Sequence, residues 1–315
     1  MRNRSTGAVL LFLLLGACQT GFESSSVVID LRVLGVQAEP PEVVLDVDPM
    51  RPEAVELPPV ELVALIADPG EERRLDWGMT VCPPTLSLRC DDPLASYVAA
   101  GSGTVDDPEQ SGALPPRGVA QLTPQLLMES VRLDALAGFG GIAVQVELWV
   151  KPEGAAIATA AFASKRILFA PREPAERIAN TNPSMTGLLV NAEPWDGAPC
   201  GDDAAGAPLA VTPGQMLVLE PVEADGAREP YVVPTFDGGV ERFTELLFYS
   251  WFATAGQFAP DQSGGGPDLF GNVPTLGTEW TAPETEGPVR LWVVQRDERG
   301  GASFTVRCIA VGTTP

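Results

Sequence analysis

Strict alternation constrains this chain more than any other feature. Val144, Val146, Leu148 and Val150 alternate with Gln145, Glu147, Trp149 and Lys151. A period of two places one set on each face of a pleated strand, so this segment reads as a half-buried β-strand. Similar runs recur. Val27 to Val33 leads into Ala38-Glu39-Pro40-Pro41, and Val60 to Ala67 is closed by the turn sequence Asp68-Pro69-Gly70. Arg166 to Ala170, Met185 to Asn191, Met216 to Glu220, Leu246 to Ala253, Val289 to Arg296 and Ser303 to Val311 follow. Gly (32) and Pro (31) supply one residue in five and are spread among these runs, as expected of many short strands joined by turns.

One segment has a helical signature. Thr123 can cap, Pro124 suits the first turn and Gly138 lies past the end, which predicts a helix over Thr123 to Leu136 with Leu126, Leu127 and Val131 on one face. The polar, Pro-containing stretch 172–183 reads as a linker between a first β-sandwich (27–171) and a second (184–315). The halves share short matches. Each opens with a strand reaching Ala-Glu-Pro (Ala38-Glu39-Pro40, Ala192-Glu193-Pro194), and each carries Leu-Trp-Val (Leu148-Trp149-Val150, Leu291-Trp292-Val293). The expected fold class is all-β, two tandem sandwiches with a short helix inserted in the first.

The formal net charge of −22 would be repelled by a phosphate backbone, so nucleic acid is not an expected partner. Histidine is absent. Ser-His-Asp and Cys-His catalysis both need an imidazole to accept and return a proton, and the usual His-containing zinc sites need one as a ligand. No nucleophile elbow or phosphate-cradling glycine pattern is present, and Gly264-Gly265-Gly266 neither follows a strand nor opens a helix. Paired carboxylates for glycoside hydrolysis have candidates throughout so acidic a chain, but nothing singles out a pair.

At the N-terminus, Arg2 and Arg4 precede the apolar run Ala8 to Leu15, which is of secretory length and too short to span a bilayer as a mature helix. It ends in Leu15-Gly16-Ala17-Cys18. This resembles the lipobox of bacterial lipoproteins, a Leu and two small residues before an invariant Cys. The resemblance implies that residues 1–17 are a signal peptide and that Cys18 becomes the lipidated first residue, with a tether over 18–26. The partner it implies is the lipid bilayer, in which several acyl chains give stable attachment. Gln19, in place of Asp, implies the outer membrane by the sorting rule of enteric-type bacteria.

Cys82, Cys90, Cys200 and Cys308 remain, an even number in an exported chain, so two disulfides are expected from three possible pairings. Local closure favours Cys82–Cys90, which leaves Cys200–Cys308. A four-Cys metal site lacks any CxxC pair.

The C-terminal half carries Phe248-Tyr249-Ser250-Trp251-Phe252, Trp280-Thr281-Ala282-Pro283, Gly287-Pro288-Val289 and Leu291 to Asp297 with Gly300-Gly301. These are similar to the polycystic-kidney-type and other immunoglobulin-like repeats of bacterial surface proteins, a likeness that implies a β-sandwich scaffold and no activity.

Trp251 and Trp292 read as core residues, whereas Trp77 and Trp195 read as loop residues suited to stacking on a sugar. No cofactor is expected; Asp261, Asp268 and Asn272, or Asp46 and Asp48, read as polar loop residues, with calcium, which takes oxygen donors, as the alternative. The expected function is that of a non-enzymatic structural or interaction module of the envelope, with a protein or glycan partner. The alternative is carbohydrate or small-ligand binding through loop aromatics.

Overall fold

The computed structural model describes residues 24–46, 56–108, 114–195, 200 and 208–312. Cys18, the preceding leader, most of the tether and Asp48 lie outside the described residues.

The first half forms β1 (Arg32–Glu39), β2 (Glu42–Leu45), β3 (Val60–Ala67), β4 (Leu75–Cys82), β5 (Val98–Val105), β6 (Arg117–Ala120), β7 (Ile142–Pro152) and β8 (Ala161–Pro171). One sheet has the order β1-β3-β6 and the other β2-β8-β7-β4-β5. Their inner faces enclose one core that includes Val36, Leu62, Trp77, Met79, Leu148 and Phe169.

The second half forms β9 (Met185–Val190), β10 (Glu193–Pro194), β11 (Leu209–Val211), β12 (Met216–Glu223), β13 (Pro230–Pro234), β14 (Val240–Thr244), β15 (Leu247–Ala253), β16 (Gln257–Ala259), β17 (Gln262–Gly264), β18 (Thr278–Thr281), β19 (Gly287–Asp297) and β20 (Ala302–Val311). Its sheets are β10-β9-β12-β18-β16 and β11-β20-β19-β15-β17, and β13 and β14 make a separate hairpin. Trp251, Trp280, Tyr249 and Leu291 fill its core.

The two modules share one topology. In each, the opening strand lies in one sheet, and a short following strand (β2 or β11) crosses to pair in parallel with the last strand (β8 or β20). Among the described residues all other ladders are antiparallel, and two sheets face each other across an apolar core. This is an immunoglobulin-like sandwich, occurring twice. The matched Leu-Trp-Val triplets fall in equivalent strands, β7 and β19.

Three boundaries differ from the sequence reading. The first strand begins at Arg32, because Val27 and Val28 are used elsewhere. Strand β8 begins at Ala161, since main-chain pairing with β7 carries the ladder back through small and polar residues that have no clear alternation. The helix, α1 (Pro124–Leu133), is capped by Thr123, whose hydroxyl accepts from Leu126 N at 3.3 Å, and it stops short of Leu136. There Asp134 turns extended and its carboxylate accepts from Gly138 N at 2.6 Å, so the chain closes a local turn in place of another helical one.

Candidate functional site

The modules meet along a seam that is apolar in the middle and charged at one end. Strand β1 carries a β-bulge between Val33 and Gly35. The extra residue, Leu34, is turned to the face opposite Val36 and Ala38. With Val28, Leu65 and Ala67 it packs on the outer face of the second module, against Trp292 and Val294, with Phe252, Phe304 and Val306 alongside. Cross-strand register explains that outer face: Phe252, Trp292 and Val306 are direct partners, as are Val294 and Phe304. The carbonyl exposed by the bulge, Leu34 O, accepts from Arg296 Nη2 at 3.0 Å. Trp292 is therefore core, but of the seam and not of its own sandwich.

The charged end is built from four separate parts of the chain. Glu42 is 2% and Glu245 1% exposed. Arg299, on the β19–β20 turn, lies between them: Nη2 donates to Glu42 Oε2 and Nη1 to Glu245 Oε1 at 3.1 Å. Glu42 also accepts from Asn180 N at 2.9 Å and pairs with Arg177 Nε at 3.7 Å. Glu245 accepts from Glu229 N at 3.1 Å. Asp297 organises the turn itself, accepting from Arg299 N at 2.8 Å and Gly301 N at 2.7 Å. A Cβ on Gly301 would lie 2.1 Å from Asp297 Oδ2, so only glycine fits there.

The linker segment 172–183 is held by both modules. Asn182 Nδ2 donates to Ala38 O at 2.7 Å in the first module, while its Oδ1 accepts from Ala302 N at 2.9 Å in the second. Lys165 of the first module donates to Gly300 O of the second.

Burial pushes the Glu245 carboxyl up to about 7; the nearby Asp297 carboxylate adds to this, against the Glu229 N–H and Arg299. Burial pulls the Lys165 ammonium down to about 8. Perturbed groups of this kind are a usual mark of catalytic sites. Here, however, both oxygens of Glu42 and of Glu245 are engaged by protein groups, leaving no open side for a substrate. The arrangement holds two modules in one relative position.

The N-terminus joins the same seam at its opposite, apolar end. Val27 bridges Ala253, Val28 N donates to Ala253 O at 2.8 Å, and Ala253 N donates to Ser26 O at 2.9 Å. Val28 is fully buried between the modules. An open cavity of about 610 Å³ lies beside this strap, lined by Ser24, Val27, Gly256, Gln257, Thr281 and Glu284 among others.

The sequence-derived candidates are distributed differently from expectation. Cys82–Cys90 and Cys200–Cys308 are both disulfides, with Cα separations of 5.6 and 5.1 Å. Trp77 is not in a loop. It lies in β4 opposite Val150, buried in the first core. Its neighbours Asp76 and Gly78 disguise the strand, and Gly78 is there because the Trp149 indole covers it: a Cβ would sit 2.6 Å from that ring. Trp195 is also buried, in the second core, with its N–H paired to Leu188 O. Its Nε1 has no acceptor among the described residues. Neither indole offers a face for sugar stacking.

Asp268 and Asn272 are brought together, but to close their own turn. Asp268 Oδ2 accepts from Asn272 Nδ2 at 2.7 Å, and Oδ1 accepts from Phe270 N and Asn272 N. Asp261 instead accepts from the Ser24 and Ser25 hydroxyls at 3.4 Å. Asp46 is paired with Arg172. Among the described residues no group of three or more Cys, Asp or Glu is placed to hold a metal ion.

No protein-family model matches the chain, and no curated protein matches it. Solved structures with partial likeness include murine CEACAM1b, at 9% identity and TM-score 0.23 over 90% of this chain and all of that one. The D00-D0 domain of intimin follows, at 8% identity and TM-score 0.22 over 88% of this chain and all of that one. A nucleoside hydrolase-related hypothetical protein from Saccharophagus degradans, associated with carbohydrate metabolism, aligns at 13% identity and TM-score 0.23. That alignment covers 43% of this chain but only 26% of the other.

Proposed function

We propose that this protein is a lipid-anchored, non-enzymatic interaction module of a bacterial cell envelope, held on the outer membrane through Cys18. The observation that carries the reading is the course of the N-terminal segment. Ser26 to Val28 is pinned to β15 and buried in the seam, so the folded body begins within a few residues of Cys18. The eight residue steps from Cys18 to Ser26 span at most about 29 Å, which would hold the body close to the bilayer. The sealed state of Glu42 and Glu245 favours a rigid scaffold over a hydrolase.

The test is fractionation of cells grown with labelled palmitate, comparing wild type with Cys18→Ala. Wild type is expected in the membrane fraction and labelled, and the variant soluble or retained as an unlabelled precursor. Equal labelling of the two proteins would refute lipidation at this cysteine.

A further inference from the structure

Large apolar side chains left in solvent are not spread evenly over this molecule. Leu86 (106% exposed), Leu94 (91%), Phe236 (81%), Leu269 (101%) and Phe270 (90%) are the most exposed of them. They belong to three loops: the disulfide-closed connection from β4 to β5, the tip of the β13–β14 hairpin, and the connection from β17 to β18.

Strand direction places all three loops at one end. In the first module, β4 ends at Cys82 beside Gln145 near the start of β7, the same end at which β1 reaches Glu39 and β8 pairs with Glu42. In the second, the β13–β14 hairpin leads into β15 at Leu247, opposite Asp297, and Gly264 at the end of β17 pairs with Phe248. The charged junction joins these two ends, and Phe139 of the first module stacks on Phe236 of the second with ring centroids 4.6 Å apart. The N-terminal strap sits at the other end of the particle, beside Ala253 and Arg32.

Each apolar tip is stiffened by an adjacent aspartate. Asp92 accepts from Leu94 N at 2.9 Å, Asp237 from Gly239 N at 3.3 Å and Asp268 from Phe270 N at 2.8 Å. The same residues set a negative charge beside Leu94, Phe236, Leu269 and Phe270, on a chain with 42 acidic and 20 basic side chains. Leu269, Phe270 and Val273 crowd one of these loops and Leu86, Leu88 and Leu94 another, and side chains already held in place lose little entropy on docking.

We infer that the end bearing Leu86, Leu94, Phe236, Leu269 and Phe270 docks a protein partner whose surface combines apolar pockets with a basic rim. Charge complementarity selects that partner: an anionic bilayer would be repelled, and a basic surface attracted and steered. The inference deepens the interaction-module reading and rests on it, by identifying the surface used.

The test uses the full-length protein in its own membrane. A photoreactive benzoyl-phenylalanine is placed at Leu88 or Val273, or, as a control, at Ile29 beside the strap. The expected result is an adduct from both far-end positions to one protein, at a peptide rich in Lys or Arg and apolar residues. Its yield should fall at least fivefold when Leu269→Ser and Phe270→Ser are added, with an unchanged unfolding curve. Adducts only to lipid, adducts to an acidic or uncharged peptide, equal labelling from Ile29, or no adduct would each overturn the inference. Palmitate labelling of Cys18 is read independently, so failure here and failure of the anchor are distinguishable.

Discussion

Replacing Trp292 by Ala removes an indole that is 2% exposed yet belongs to neither sandwich core. In an isolated second module that ring would face water, so its loss would cost the module little. In the intact molecule it is enclosed by Val28, Leu34, Leu65 and Ala67 from the first half of the chain, and almost the whole penalty falls on docking. Truncating a buried Trp to Ala costs about 3–5 kcal/mol. A change of that size lowers the unfolding temperature of a large domain by roughly 2–4 °C per kcal/mol, so a fall on the order of 10 °C is expected. Calorimetry should also resolve one transition in wild type into two in Trp292→Ala, with a larger radius of gyration in small-angle scattering. Trp251→Ala is the control, since Trp251 is fully buried within the second core and its loss should destabilise that module itself. A Trp292→Ala protein that still unfolds in one transition, within about 1 kcal/mol of wild type, would refute the seam as the element that couples the modules.

Three further outcomes are expected. Glu245 has its carboxyl raised to about 7, above the unfolded value of 4.5, by burial among Glu229, Asp297 and Arg299. It takes up a proton on folding, so its contribution is fully present below about pH 4.5 and is lost as pH rises through 7; urea titrations across pH 5–8 should show this slope in wild type and not in Glu245→Gln. Arg299→Met leaves Glu42 and Glu245 buried without their shared guanidinium and should cost about 3–5 kcal/mol in chemical denaturation, partly recovered by adding Glu42→Gln and Glu245→Gln. The Cys200–Cys308 disulfide closes a span of 108 residues and Cys82–Cys90 one of 8, so paired Cys→Ser changes should cost about 4–5 and about 2–3 kcal/mol respectively, on the chain-entropy account.

The strands, the doubled module and the local disulfide were legible in the sequence because each depends on near neighbours. Alternation in β7 reports one covered face, and eight residues between cysteines report a short closure. The seam also left a signal. From Val289 to Val294 both phases of the strand are apolar or aromatic apart from Arg290, which is what a strand covered on both faces looks like. Trp77 reads as a loop residue because Gly78 interrupts its strand, and the reason for that glycine, Trp149, stands 71 residues away. The junction was out of reach for the same reason. Glu42, Arg177, Glu245 and Arg299 lie far apart in the sequence, each indistinguishable from a solvated charge until the fold brings them together.

The strap at Val27 and Val28 separates the order of the modules along the chain from the order in which they feel force. A pull on the N-terminus acts first on the hydrogen bonds to Ala253, in the C-terminal module, and only then on β1. Because both bonds are made to the one residue Ala253, at the end of β15, tension loads them together. The second module thus acts as a strain relief: the first can be tugged only after the grip on Ala253 and the packing of Val28 have yielded.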